Sequence, residues 1–408
     1  MGFNPWNVFG TDAHHKPKLP GSHGFNLSVM VDVADAMVSK GFAKAGYRSV
    51  NLDCGWSTGY RDKSSGLIKV SPYEPDMPRI DARRSTMAWP NSGRDPHRPR
   101  PAPAPQVNEK LYPGGLEAYV AAMHSRGLEA GLYLDAGHAQ CCSRQLSGAD
   151  DGSLGHEATD AKWLAGLGFT WLKYDNCGSE EVSYDRMAAA LNSTGQTVML
   201  SVHGPVGTEA VNVSNMWRAT PDITNTWASV VSRALLTATL VNASSRSSAP
   251  GSWAMADMLE AFNGTPESPG LTAVESRSHF AMWAALKSPL VLGNNVITAD
   301  EEAVAALTNA GVIAINQDPL GEPATVAMLN TTGLWLTGRL SGGKFVAVVV
   351  NLAGSSGTLG LDFAWLPGWQ PGRELSVVNA WTGQTLGRAG SDWTSSLQSH
   401  EAAVLTFA

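Results

Sequence analysis

The chain has 408 residues, enough for one large domain plus a small one, and an ordinary soluble composition rich in Gly and Trp. Its formal net charge of −7 argues against nucleic acid or an anionic membrane as the main partner. No apolar run is long enough to span a bilayer, and Met1-Gly2-Phe3-Asn4-Pro5-Trp6 has neither the basic nor the apolar region of a signal peptide.

After an opening strand at Met1 to Asn4, three segments repeat one plan. In the first, Met30, Val33 and Met37 lie at helical spacing, Gly46 ends the helix, and Arg48 to Leu52 leads to Asp53. In the second, Leu116, Tyr119, Val120 and Met123 form a helical stripe, Gly127 ends it, and Leu128 to Leu134 leads to Asp135. In the third, Trp163, Leu164 and Leu167 precede Gly168, and a short apolar strand ends on Asp175. Helix, glycine, buried strand, aspartate is the rhythm of a parallel β/α sheet. An open doubly wound sheet has a similar rhythm, but no Gly-rich phosphate loop follows a first strand. In a (β/α)8 barrel the C-terminal ends of the strands form the reactive rim.

Further strands are expected at Thr197 to Val202, Met216 to Arg218, Gly251 to Met255 and Pro289 to Leu292, which makes eight. A Pro/Arg-rich stretch near 74–108 has no period and reads as a surface insertion after the second strand. After residue 320 short strands separated by Gly/Ser turns suit an antiparallel β-sandwich. The expected division is therefore 1–320 for a (β/α)8 barrel and 321–408 for the sandwich.

Lys173 and Asp175 share one face of their strand, so the lysine favours an ionised carboxylate, as a covalent glycosidase requires. A structural salt bridge would look the same in isolation. A second stretch, Asn215 to Trp227, offers Asp222 with Arg218 four residues before it and Trp217 and Trp227 on either side. Aromatic faces pack on pyranose rings, although core burial is the commoner fate of Trp.

The four cysteines, Cys54, Cys141, Cys142 and Cys177, match no zinc spacing and read as one or two disulfides. Six sequons, at Asn26, Asn192, Asn212, Asn242, Asn263 and Asn330, join them in favouring an oxidising secretory route. His14-His15 reads as solvated surface, and Asp150-Asp151-Gly152 is too short for a calcium loop. There is no P-loop and no nucleophile elbow.

Together these stretches resemble a known family. Met1-Gly2-Phe3-Asn4-Pro5-Trp6-Asn7 is similar to the M-G-W-N-S-W-N opening of glycoside hydrolase family 27, the retaining α-galactosidases and α-N-acetylgalactosaminidases. Asn51 to Trp56 is similar to N-I-D-D-C-W, Gly131 to Gly137 to G-I-Y-x-D-x-G, and Leu172 to Cys177 to L-K-Y-D-N-C. Trp217 to Ile223 resembles W-R-x-x-x-D-I, and Asn316 to Gly321 carries N-Q-D-P-L-G. The resemblance covers nearly the whole chain in order.

The resemblance implies a (β/α)8 barrel with a C-terminal β-sandwich, and a retaining exo-glycosidase acting on terminal α-D-galactosyl residues. It implies Asp175 as nucleophile and Asp222 as general acid/base, with Trp6, Asp53, Tyr133, Lys173, Arg218 and Asp257 lining the sugar pocket. Cys141 and Cys177 match the family's disulfide beside the nucleophile, which leaves Cys54 and Cys142 either free or paired with each other. No metal or cofactor is implied; the partner is a carbohydrate substrate, with self-association left open, in a secreted, vacuolar or lysosomal setting. The expected pKa order is a lowered Asp175 beside Lys173 and a raised Asp222, through partial burial and a neighbouring carboxylate.

Three positions depart from the family pattern. Cys54 stands where a second aspartate binds sugar hydroxyls, Val202-His203-Gly204 where Cys-Glu-Trp carries a 2-hydroxyl reader, and Trp253-Ala254-Met255-Ala256-Asp257 where the pattern is W-N-D-P-D. A lost carboxylate removes a charge-assisted hydrogen bond. The alternatives are therefore a shifted specificity (β-L-arabinopyranoside, α-N-acetylgalactosaminide or α-glucan) and a catalytically silent carbohydrate-binding barrel.

Overall fold

The computed structural model describes residues 1–9, 25–63, 65–70, 112–177, 182–203, 208–242, 248–264 and 269–408. The segment near 74–108 and the His14-His15 pair lie outside them. The first ten strands are β1 (Gly2–Phe3), β2 (Ser49–Asn51), β3 (Ser57–Arg61), β4 (Ile68–Val70), β5 (Glu129–Asp135), β6 (Trp171–Asp175), β7 (Met199–Val202), β8 (Met216–Arg218), β9 (Trp253–Met255) and β10 (Val291–Leu292). Eight of them form one parallel sheet in the order β10-β1-β2-β5-β6-β7-β8-β9. The sheet closes on itself: Leu259 N donates to Val291 O at 2.7 Å and Gly293 N to Leu259 O at 3.0 Å. This is the (β/α)8 barrel. Strands β3 and β4 pair separately, in the connection that follows β2.

The helices are α1 (Trp6–Phe9), α2 (Leu27–Ser39), α3 (Gly115–His124), α4 (Glu157–Leu167), α5 (Tyr184–Ser193), α6 (Thr208–Val213), α7 (Trp227–Asn242), α8 (Ala273–Ala285), α9 (Glu301–Leu307) and α10 (Ala310–Asn316). The periodic stripes face inward: Met30, Val33 and Met37 of α2 and Leu116, Tyr119, Val120 and Met123 of α3 are buried. The three glycines that end the repeats take left-handed backbone, with φ of 107° at Gly46, 70° at Gly127 and 92° at Gly168. A side chain there would be strained, which is why glycine turns each helix into its strand.

Eight further strands follow: β11 (Thr325–Leu329), β12 (Gly333–Leu340), β13 (Lys344–Asn351), β14 (Gly357–Asp362), β15 (Leu375–Asn379), β16 (Thr385–Ala389), β17 (Asp392–Leu397) and β18 (Ala402–Phe407). A six-stranded antiparallel sheet, β11-β12-β13-β18-β15-β16, joins the β14–β17 pair in the sandwich. The apolar run of β13 serves two cores by strand alternation. Val346, Val348 and Val350 extend the barrel core, whereas Phe345, Ala347 and Val349 pack with Phe363 and Phe407 inside the sandwich. Helix α8 lies between barrel and sandwich, and so Phe280, Met282 and Trp283 are all fully buried although they point in different directions.

Candidate active site

The rim chemistry follows from side-chain parity. Along each strand, alternate residues point into the barrel, and these change from apolar to charged toward the C-terminal end. Strand β6 gives Trp171, Lys173 and Asp175; β8 gives Met216 and Arg218; β9 gives Trp253, Met255 and then Asp257. The lower positions form an apolar plug of Trp171, Met216, Met255, Met258 and Val291. Met255, the apparent loss of a pocket carboxylate, belongs to this plug and does not line the cavity above it. That departure therefore falls in the barrel interior and not among the residues that line the cavity.

Above the plug lies a cavity of about 550 Å³. All ten residues singled out as nucleophile, acid/base or pocket wall line it: Trp6, Asp53, Cys54, Tyr133, Lys173, Asp175, His203, Arg218, Asp222 and Asp257. Trp217 also reaches the wall; it is fully buried, and its Nε1–H has no acceptor among the described residues. Trp227 does not reach it, because its ring stacks on His400 of the sandwich with centroids 4.8 Å apart.

Two charged groups organise the walls. Lys173 Nζ lies 2.8 Å from Asp53 Oδ2 and 3.6 Å from Asp175 Oδ2, so its nearer partner is the aspartate of a different strand. Burial pulls the Lys173 ammonium down, and Asp53 and Asp175 more than offset this, leaving it above its ordinary value. Asn4 Nδ2 donates to the same Asp53 oxygen at 2.7 Å. Asn4 escaped the sequence reading, although it sits within the opening motif.

On the opposite wall Arg218 Nη2 lies 2.6 Å from Asp222 Oδ1 and 2.8 Å from Asp257 Oδ2. Asp257 also accepts from Ile223 N at 2.7 Å and Met258 N at 2.8 Å, and holds a left-handed φ of 88°. The expected rise at Asp222 is overturned. Burial pushes its carboxyl up, but the charge and hydrogen bond of Arg218 outweigh it, and the group sits below its usual range. The direct contact with Arg218 at 2.6 Å, rather than a neighbouring carboxylate, decides the sign. The Asp222 side chain itself is 87% exposed, so the upward push comes from the cavity walls around it and is small, and solvent also screens part of the pull of Arg218.

His203 is fixed between Ser201 Oγ, 2.9 Å from Nε2, and Arg218 Nη1, 3.4 Å from Nδ1. Arg218 can only donate, so Nδ1 accepts and the proton sits on Nε2, directed at Ser201. Burial holds the imidazole well below its ordinary pKa, and Lys173 and Arg218 add to this, so it is neutral. Where the family pattern has a glutamate, this chain thus places an uncharged ring with both nitrogens engaged.

The cysteines form two bridges, Cys141–Cys177 and Cys54–Cys142. The pair left over by the sequence reading is therefore joined, and no cysteine is free. Two adjacent residues of the loop after β5 are thereby tied to the loop after β2 on one side and to the residues following Asp175 on the other. Asp135, paired in register with Asp175 across β5 and β6, accepts from Gly137 N at 2.8 Å and Cys177 N at 3.2 Å. Burial pushes its carboxyl up to about 7 against those two hydrogen bonds, and Asp175 adds to the rise. It was visible as a strand-end aspartate, but nothing in the sequence separated its role from that of Asp53.

Of the sequons, Asn263 is buried, with its amide donating to Glu260 Oε2 at 2.5 Å and Gly293 O at 3.3 Å, so it is closed to modification.

A barrel whose rim brings two carboxylates, each beside its own cation, to one sugar-sized cavity defines a glycoside hydrolase of the (β/α)8 class. Comparison with known proteins gives the particular family. A family model described as "Alpha galactosidase A" matches residues 88–318, and one described as "Alpha galactosidase C-terminal beta sandwich domain" matches residues 330–407. An α-galactosidase from Cyamopsis tetragonoloba is 32% identical over 98% of this chain and 84% of its own length. One from Coffea arabica is 33% identical over 88% of this chain and 80% of its own. The crystal structure of α-galactosidase I from Mortierella vinacea superposes with a TM-score of 0.77 at 26% identity, covering 100% of this chain and 96% of that one. The chain belongs to the α-galactosidase family, glycoside hydrolase family 27.

Proposed function

We propose that this enzyme removes terminal α-D-galactosyl residues from oligosaccharides or glycoconjugates with retention of anomeric configuration, using Asp175 and Asp222. The carrying observation is that Asp175, at the end of β6, and Asp222, in the loop after β8, open on the same cavity from different elements. In the first step Asp222 gives its proton to the glycosidic oxygen as a carboxylate oxygen of Asp175 bonds to the anomeric carbon and the C–O bond to the leaving group breaks. In the second, Asp222 takes a proton from water, whose oxygen displaces Asp175 from the sugar. Two inversions give net retention. Two carboxyls acting this way sit about 5–5.5 Å apart.

Lys173 and Asp53 on one wall and Arg218 and Asp257 on the other offer donors and acceptors for ring hydroxyls. Trp6 supplies an apolar face. The presence of both acids beside their cations weighs against a silent binding barrel. Cys54 and His203 weigh toward a widened or shifted preference around the ring, because neither offers a carboxylate. We assign residues 1–320 to the catalytic barrel and 321–408 to the sandwich, a division supported by the turn residues between α10 and β11. Two rim disulfides accord with a secreted, vacuolar or lysosomal setting, since such bonds persist in oxidising compartments. Among the described residues no helix is long and apolar enough to cross a membrane. Self-association is compatible with the reading and required by none of its steps.

The test is a panel of nitrophenyl glycosides at acidic pH with the anomer of the first-formed sugar followed by NMR. The expectation is release from the α-galactoside with α-galactose appearing first. Release only from the β-L-arabinopyranoside or the α-N-acetylgalactosaminide would move the specificity, and release from none would overturn the hydrolase reading.

A further inference from the structure

The loop that carries Asp222 is held from several sides. Thr220 Oγ1 donates to Ala256 O at 3.2 Å, Ile223 N to Asp257 Oδ2 at 2.7 Å, and Thr224 N to Ser229 Oγ at 3.0 Å. None of these touches the main chain of Asp222 itself. That contact comes from Arg233, two turns into α7, whose Nη2 and Nε donate to the Asp222 carbonyl at 2.7 and 3.2 Å. A guanidinium that chelates one carbonyl through two N–H groups fixes position and direction together. Its base is firm, because α7 begins at Trp227, which stacks on His400, and His400 in turn lies 2.6 Å from Glu275 of α8. The Asp222 side chain is 87% exposed, and among the described residues its hydrogen-bond partner is Arg218. A carboxyl so open depends on its main chain for placement.

We propose that Arg233 is a positioning residue for the acid/base: it clamps the Asp222 carbonyl to α7 and so aims the carboxyl at the glycosidic oxygen. This rests on the assignment of Asp222 as acid/base. The role needs no contact between Arg233 and substrate. It also adds a positive charge to those acting on Asp222, namely Arg218 and Lys173, while Asp257 and Asp175 act in turn on Arg218.

The experiment compares R233Q, R233K and D222N with the parent enzyme on two substrates, an alkyl α-galactoside and 2,4-dinitrophenyl α-galactoside. The alkoxide leaving group needs a proton; the dinitrophenolate does not. In R233Q, kcat/KM for the alkyl substrate should fall about tenfold or more, part of what general acid catalysis contributes, while kcat/KM for the dinitrophenyl substrate stays within about twofold. R233K, which keeps the charge and loses the fork, should show a smaller split. In R233Q the alkaline limb of kcat/KM should also move to higher pH, because one cation facing Asp222 is gone. Equal losses on both substrates, or no loss, would overturn the proposal while a split in D222N upheld the acid/base. A D222N enzyme without the split would instead overturn the assignment of Asp222, and the positioning role with it.

Discussion

Arg218 joins Asp222 and Asp257 through a single nitrogen, 2.6 Å from one carboxylate and 2.8 Å from the other. The proposed general acid is thus ion-paired in the free enzyme, and it must be protonated before it can act. Because Arg218 holds Asp222 below its usual range, its protonated form is lost at lower pH than that of a free aspartate. Activity on unactivated α-galactosides should be highest in acid and decline toward neutrality. Replacing Arg218 by Gln should shift the alkaline limb of kcat/KM upward even as the maximum drops. A limb that stays in place would mean that some other group sets it.

Asp175→Asn should leave a folded enzyme with less than about a thousandth of the parent kcat, the scale of loss when a covalent nucleophile is removed. The side chain is 19% exposed, and a carboxamide is of equal size, so circular dichroism and the thermal midpoint should be close to those of the parent. Retained turnover would exclude this residue as nucleophile.

Asp135 makes a separate prediction about stability. Its carboxyl lies near 7 in the fold against 3.8 when free, through burial, with the Asp175 charge adding to the rise and the Gly137 and Cys177 amides and the Arg144 charge opposing it. Between those values the folded state binds the proton and the unfolded chain does not, so stability falls as pH rises through that window. In Asp135→Asn the slope of thermal midpoint against pH between about 4 and about 7 should flatten. A slope unchanged by the substitution would place the titrating group elsewhere.

The two disulfides should differ in what they support. The Cys54–Cys142 link spans 88 residues, and in the chain-entropy view its removal costs on the order of 4–5 kcal/mol. C54A/C142A should therefore melt earlier but, assayed well below its midpoint, keep much of its kcat. The Cys141–Cys177 link holds the turn directly after Asp175, and Tyr133 Oη donates to Cys141 Sγ at 2.8 Å. C141A/C177A should lose kcat as well as stability. Unchanged kcat in both double variants would show that the links act only on stability, and equal losses in both would show that neither link is special to the nucleophile.

The residues 169–177 show how far the sequence reaches. An apolar strand ending on Lys173-Tyr174-Asp175 specifies its own burial, its inward face and the exposure of its last carboxyl at a strand end, since all three follow from a period of two and a buried sheet. The same local logic placed Asp53 and the glycines that close each helix, whereas Asp257 came only from the resemblance to family 27. Arg233 shows the opposite case. It is an ordinary position on α7, and only the approach of that helix to the loop after β8 gives it a carbonyl to hold.

The sequence by itself determined the barrel and the sandwich and set charges at the strand ends, because hydrophobic period, turn glycines and strand-end residues are local properties of the chain. Tertiary structure alone decided which cation meets which carboxylate. Lys173 leans to Asp53 rather than to its own strand neighbour, Arg218 draws Asp222 down where burial would raise it, and Cys54 finds Cys142. Ionisation depends on distances of a few ångströms between groups far apart in the chain, and those distances exist only once the barrel has closed.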